Sequence, residues 1–392
     1  MIDAKERTAR RTHGFTESVI REMSRVARSA DAINLGQGFP DFPAPDVIKE
    51  AACRAIREDV NQYAVTWGTP SLRMALAKKY QDSYGLDVDP ETEITVTCGA
   101  TEAMAAIMLS LVNPDDEVIV FEPFYENYGP DATLSGAKPV FLPLSAPDFR
   151  LDATELEARV TERTRAIIVN TPNNPTGRVF SREELEAIAD VCRRRDLIAF
   201  TDEIYEHIYY DGEHLPLATF DGMRDRTVTI SGASKTFAIT GWRIGTIVAP
   251  PDLTGAIRKV HDFLTVGAPA PLQEACAHAM TVLGREYYDG LAEEYRERRE
   301  VLHQALTEAG FDAVKPEGAY YIMADFSALS DMDDDTFARH LTTEGGVASV
   351  PGSSFFSDRV RGSSLVRFAF CKSLGKLEEA GERLRRYASA GS

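Results

Sequence analysis

Apolar positions in this chain follow two rhythms that alternate along most of its length. Val19, Ile20, Met23, Val26 and Ala27 recur at the spacing of one helix face, and the pattern stops before the glycine- and proline-bearing stretch from Gly36 to Pro45. Helical spacing returns over Asp46–Glu58, Ser71–Tyr84 and Thr101–Leu111. Short β-branched runs predict strands at Glu93–Thr97, Glu117–Phe121, Arg165–Asn170, Leu197–Thr201, Thr227–Ser231 and Ile244–Ala249. Apolar strands alternating with helices imply a mainly parallel sheet covered on both faces, an α/β fold. From Tyr287 to Ala309 a charged helical pattern, with Leu302 and Leu306 on its apolar face, leads out of that sheet. Shorter strands at Tyr320–Asp325, Val347–Val350 and Leu365–Phe370 follow, mixed with two helices, and suggest a separate α+β lobe. The acidic cluster Asp331–Asp335 reads as a solvated helix start.

Length agrees with two lobes, since 392 residues exceed the roughly 250–300 that one core usually serves. The formal charge of −18 argues against nucleic-acid binding, which needs a basic footprint. Polar residues interrupt every apolar stretch well short of the ~20 residues that span a bilayer, so no membrane association is expected. Met1 to Arg11 is basic but contains Asp3 and Glu6 and leads into no apolar run, so it fits neither a signal nor a transit peptide. Cys53, Cys98, Cys192, Cys276 and Cys371 are odd in number and far apart, which reads as free thiols. A cytoplasmic protein is expected. The histidines show no metal-ligand spacing, and no metal is expected.

Three common chemistries can be set aside. No G-x-G-x-x-G follows a strand, and no G-x-S-x-G elbow occurs. Ser231-Gly232-Ala233-Ser234-Lys235-Thr236 ends like a P-loop but has Ser234 where glycine is required. What remains are polar residues at strand ends, where open α/β sheets bind ligands. Lys235 follows the strand Thr227–Ser231 beside the apolar Phe237-Ala238-Ile239; it is either a surface charge or, if desolvated, a Schiff-base nucleophile. Asp202 and Tyr205 close Leu197–Thr201, while Asn170 and Asn174 close Arg165–Asn170; each could equally be a cap or turn residue. Gly99-Ala100-Thr101 opens a helix, and its amides form either a phosphate cradle or an ordinary capped start.

Taken together, the segments Asn34-Leu35-Gly36-Gln37-Gly38-Phe39-Pro40-Asp41-Phe42-Pro43, Asn-Thr-Pro-Asn-Asn-Pro-Thr-Gly at 170–177, Thr-Asp-Glu-Ile-Tyr at 201–205 and Ser-Lys-Thr-Phe-(x)3-Gly-Trp-Arg at 234–243 resemble the class I/II, fold type I aminotransferases dependent on pyridoxal phosphate. The resemblance runs over nearly the whole chain, to Arg367, and lies nearest the kynurenine, glutamine, methionine and succinyl-diaminopimelate branch. It implies a seven-stranded, mainly parallel sheet in a large cofactor-binding domain (46–284), a small domain (285–392) and an N-terminal segment (1–45) belonging with the small domain. It implies that Lys235 carries the cofactor and moves the proton, with Asp202 against the pyridine nitrogen, Tyr205 and Asn174 at the phenolate oxygen and Tyr125 on the ring face. The phosphate would meet Ala100, Thr101, Ser234, Arg243 and, from a second subunit of a homodimer, Tyr63. Arg367 would fork onto the substrate α-carboxylate, helped by Asn174 and the backbone of Gly38, and Asn170 would support the site from behind.

Two departures from the family pattern bear on function. Gly232 stands where many relatives place a phosphate-binding serine, so one contact would be lost or Ser231 recruited. Ile20, Thr101, Val266 and Gly267 occupy positions where aromatic-specific relatives carry rings, which points to a non-aromatic L-amino acid as donor and a 2-oxo acid such as 2-oxoglutarate as acceptor. No second arginine for a distal carboxylate is apparent. A cysteine-conjugate β-lyase and a non-catalytic ligand-sensing module are the alternatives; the second lacks the chain length and the basic charge of a DNA reader.

Overall fold

The computed structural model describes residues 7–15 and 17–391; the leader question at Met1–Glu6 lies outside the described residues. After a helix at Val19–Ser29 comes a two-residue strand, β1 (Ile33–Asn34), then the helices Asp46–Arg57 and Pro70–Tyr84. Seven strands form the large sheet: β2 (Ile94–Thr97), β3 (Glu117–Glu122), β4 (Lys138–Pro143), β5 (Thr164–Asn170), β6 (Ile198–Asp202), β7 (Thr227–Gly232) and β8 (Gly245–Val248). Their spatial order is β2-β8-β7-β6-β5-β3-β4, with β8 antiparallel to both neighbours and the other pairs parallel. The mainly parallel seven-stranded sheet is therefore present. Strand alternation sends Ile119, Ile167, Val169 and Ala199 into one core, where they meet Leu185 and Ile188 of the helix Arg182–Arg195. Val118, Val120, Ile168, Phe200 and Ile230 enter another, against Ile107 of the helix Ala100–Leu111 and Ile257 of the helix Pro251–Thr265. Burial on both faces is why these strands read as unbroken apolar runs.

Beyond the helix Arg285–Glu308 lie β9 (Asp312–Ala313), β10 (Tyr321–Asp325), the helix Asp334–Thr343, β11 (Val347–Ala348), β12 (Val350–Pro351), β13 (Leu365–Ala369) and the helix Leu374–Gly391. An antiparallel sheet of order β12-β13-β10-β9 forms this α+β part, and β1 pairs with β11 through Ile33↔Val347 and Asn34↔Ala348. The single strand expected at Val347–Val350 is two, because the chain changes partner at the buried Ser349. The acidic cluster is not wholly solvated: Asp333 caps its helix, but Asp334 is buried and accepts from the Ser353 amide at 2.7 Å. For the site, the register matters most. Asn170 at the end of β5 pairs with Asp202 at the end of β6, which puts their side chains beside the turn leaving β7.

Candidate active site

The carboxyl ends of β5, β6 and β7 and the start of the helix Ala100–Leu111 open onto one cavity of about 530 Å³. Lys235, Asp202, Tyr205, Asn170, Asn174, Tyr125, Ala100, Thr101, Ser234, Arg243, Gly38 and Arg367 all line it. Lys235 stands on the short helix Ala233–Thr236 directly after β7. Its Nζ lies 3.4 Å from the Gly38 carbonyl, 5.8 Å from the Tyr205 ring centroid and 5.7 Å from that of Tyr320. Burial pushes its pKa down to about 8, and the charges of Arg243 and Arg367 push the same way against Cys371 and Asp202. A buried amine of that kind is partly neutral near pH 7.5 and nucleophilic. Asp202 is buried and accepts from the Tyr128 hydroxyl at 2.7 Å and the Ile204 amide at 3.3 Å. Burial raises its pKa against those donors and the charge of Lys235.

The opposite wall is built for an anion. Gly99 has φ +84°, and a Cβ there would lie 2.2 Å from an Arg243 guanidinium nitrogen. A Cβ on Gly245 would lie 2.6 Å from the Ala100 amide nitrogen. Only glycines allow the strand, the arginine and the helix start to close up this far. The amides of the first helical turn have no partner within the helix, and they face the same cavity as the Ser234 side chain and Arg243.

A second cation lies deeper. Arg367 on β13 is 1% exposed, donates to Asn174 Oδ1 at 2.8 Å and to the Gly36 carbonyl at 2.7 Å, and lies over the Tyr321 ring at 4.3 Å. Its Nε has no hydrogen-bond partner, and it forms no ion pair among the described residues. Asn174 is set by its own amide, which donates to Asn170 Oδ1 at 2.8 Å, while Asn170 Nδ2 donates to the Asp202 carbonyl at 2.9 Å.

Other expectations are placed elsewhere. Ser231 does not turn toward the anion wall; its hydroxyl donates to Glu206, which also takes Lys79 and the Tyr84 hydroxyl. Gly232 has no room for a side chain, since a Cβ would sit 2.7 Å from the Ile244 carbonyl. Ile20 and Thr101 line the cavity, but Val266 and Gly267 do not. Tyr63 is 88% exposed and also outside it. Sequence reasoning missed Tyr128, which supports Asp202; Tyr321, whose hydroxyl lies 3.1 Å from that of Tyr205; and Arg21 on the rim. Tyr128 opens the helix Tyr128–Ser135, Tyr321 opens β10 and Arg21 lies in the first turn of the helix Val19–Ser29, with no local motif to mark any of them.

Residues 30–384 match the model of the family described as aminotransferase class I and II. The chain belongs to that family. A probable N-succinyldiaminopimelate aminotransferase DapC of Mycobacterium tuberculosis is 43% identical over 96% of this chain and 98% of that protein. The methionine aminotransferase of Escherichia coli is 38% identical over 94% of this chain and 95% of its own length. The solved structure of the M. tuberculosis N-succinyldiaminopimelate aminotransferase matches with a TM-score of 0.94, covering 97% of this chain and 100% of that one. The enzyme is thus a fold type I aminotransferase dependent on pyridoxal phosphate. The cavity fits that group: among the described residues the buried Asp202 forms no ion pair, and the helix-start residues Ala100 and Thr101, with Ser234 and Arg243, line the same cavity.

Proposed function

We propose that this aminotransferase moves the amino group of a non-aromatic L-amino acid to a 2-oxo acid such as 2-oxoglutarate, as a homodimer in the cytoplasm. The observation that carries the reading is Arg367, a buried guanidinium with a free Nε–H, opening into the same cavity as the buried amine of Lys235. An amino-acid carboxylate answers that N–H, and the same holds for a 2-oxo acid. Pyridoxal phosphate, when bound, withdraws the electrons left when the substrate Cα loses its proton. The chain's residues do the rest. Lys235 would hold the cofactor and would take and return the Cα proton, a role suited to a buried amine whose pKa is pushed down to about 8. Asp202, oriented by the Tyr128 hydroxyl, would keep the ring nitrogen protonated, and Tyr205 and Asn174 Nδ2 would donate to the ring oxygen. Tyr125 would pack on the ring face, Ala100, Thr101, Ser234 and Arg243 would hold the phosphate, and Gly38 would close the substrate side.

Donor choice is supported by the rim, where Ser18, Ile20, Arg21, Thr101, Glu126 and Asn127 stand. Phe15 and Phe263, the aromatics nearest in sequence to these segments, do not line the cavity, and Phe263 is 90% exposed. None of these six rim residues carries a ring, so an aromatic substrate gains no ring pair from them, a difference of roughly 0.5–1.5 kcal/mol per pair. The named substrates of the two relatives above, N-succinyldiaminopimelate and methionine, are non-aromatic. Five free cysteines support a reducing compartment. No helix among the described residues is long and apolar enough to cross a membrane. A half-reaction screen, following the cofactor absorbance as each amino acid is added, tests the donor. At least one of methionine, glutamine, alanine or aspartate should show a higher kcat/KM than phenylalanine or kynurenine; preference for either aromatic over the whole set overturns the reading.

A further inference from the structure

Behind the anion wall lies a buried ionisable pair that the chemistry above does not use. His261, on the helix Pro251–Thr265, is 0% exposed. Its Nδ1 is 2.6 Å from Glu102 Oε1 and its Nε2 is 2.7 Å from the Thr66 carbonyl. Both partners are acceptors. A neutral imidazole carries one N–H, so both bonds are made together only when the ring is doubly protonated. Glu102, the third residue of the helix Ala100–Leu111, also accepts from the Cys98 amide through Oε2 and from the Thr265 hydroxyl at 3.2 Å. Three donors on one carboxylate match its ionised form. The pair thus ties the Cys98–Thr101 turn to two segments that carry the exposed apolar residues Tyr63, Val65, Phe263, Leu264 and Val266. Those segments touch: a Cβ on Gly267 would lie 3.3 Å from the Thr66 carbonyl.

We propose that Glu102 and His261 are positioning residues for the cofactor phosphate, holding the free amides of Ala100 and Thr101 in one geometry and coupling it to the Tyr63 segment that faces the second subunit. The proposal rests on the phosphate site and dimer stated under Proposed function. Without the pair, the turn keeps its local bonds at Gly99, from the Gly99 amide to the Thr97 carbonyl at 2.8 Å and from the Thr97 hydroxyl to the Gly99 carbonyl at 3.2 Å, but loses its tie to the Thr66 and Thr265 segments, and the amides lose part of their fixed aim. The charged and titratable groups around His261 are Glu102 on the packed helix, Asp262 beside it, Arg258 one turn earlier, and Cys98 and Arg243 beyond Glu102. Between Tyr63 and Arg73 the Thr66 segment has none. The hydrogen bond and charge of Glu102 raise the His261 pKa above the usual histidine value despite its burial. The cationic pair is therefore complete below about pH 6.5 and is lost as pH rises through the raised value, so phosphate holding should weaken on the alkaline side.

The test follows pyridoxal phosphate loss from full-length dimer on dilution, between about pH 7 and about pH 9.5. Lys235 and the phosphate titrate in every variant, so each is read as a difference from wild type. Glu102→Gln keeps an acceptor for Cys98 and a donor for a neutral imidazole; it should hold cofactor normally at neutral pH and lack the alkaline loss specific to the wild type. His261→Phe keeps the bulk but no bonds, and should weaken retention about ten-fold relative to wild type at about pH 7, since a lost charge-assisted bond costs on that order, with the difference narrowing toward about pH 9.5 as the wild type loses the pair. Superimposable wild-type and Glu102→Gln profiles would overturn the proposal, and they decide alone if His261→Phe does not fold. Arg243→Ala separates the two levels: if it leaves retention unchanged, the phosphate site itself is misassigned and the proposal falls with it.

Discussion

Arg367 is the residue whose surroundings say most about chemistry. A guanidinium buried to 1% with an unpaired Nε–H is costly in a folded chain unless an anion completes it. Arg367→Ala is therefore expected to raise KM for every amino acid and every 2-oxo acid alike, with kcat/KM falling about 100-fold, from roughly 3 kcal/mol of lost charge-assisted bonding. Steady-state kinetics with both substrates varied checks this; an effect on one substrate only would make Arg367 a side-chain reader. Asp202 behaves differently, because it touches neither the phosphate wall nor the carboxylate end. Asp202→Asn should keep bound cofactor, seen by its absorbance, while kcat drops by at least ~100-fold, the scale of removing a preorganised charge from the reacting group. Undiminished turnover in a cofactor-loaded variant would refute that assignment. At this scale the sequence placed Asn170, Asp202 and Lys235 at strand ends, and the structure brings all three to one cavity. The sequence was silent on Tyr128, whose hydroxyl reaches Asp202 from 74 positions away, because no local pattern marks a residue that only tertiary packing brings in.

Strands and helices explain why those side chains meet. β5, β6 and β7 were legible as apolar runs because both faces of the sheet are covered. β4, Lys-Pro-Val-Phe-Leu-Pro, was not, since its two prolines argue against a central strand; it forms at the sheet edge, paired only with β3, where a missing N–H is tolerated. β1 is two residues long and carries no periodicity to read, while β11 was legible only as one run with β12. Gly232, a departure from the family pattern, has a physical cause at this level. β7 and β8 approach so closely that a Cβ there would meet the Ile244 carbonyl at 2.7 Å and the Gly245 Cα at 3.1 Å. Restoring the serine of the relatives should therefore not restore a contact. Gly232→Ser is expected to cost about 1–3 kcal/mol of stability by overpacking, measured by urea unfolding of the cofactor-bound enzyme. Equal stability together with tighter cofactor binding would show that the strands can part.

At the scale of the whole molecule, a group of exposed apolar side chains gathers beside the cavity. Tyr63 at 88% exposure, Phe263 at 90%, and Val65, Leu264 and Val266 lie on adjoining segments directly outside the phosphate wall. Apolar side chains gathered next to a polar cavity mark an interaction site more readily than scattered ones do. A two-fold pairing through this surface would bury the patch and bring Tyr63 of one subunit toward the phosphate wall of the other, so that both sites are completed by the same contact. Val266 and Gly267, which sit outside the cavity of their own subunit, would then have a route to the neighbouring one. Two measurements should move together on this account. Cofactor retention should fall as the enzyme is diluted below its dimer dissociation constant in sedimentation experiments, and Tyr63→Phe should weaken retention at concentrations where the dimer is intact, by several-fold for one hydrogen bond to a charged phosphate. The hydroxyl is the only atom removed, so an intact Tyr63→Phe dimer separates the phosphate contact from the packing of the ring. A monomer that keeps its cofactor and full turnover would end the dimer assignment while leaving the chemistry of Lys235 and Arg367 in place.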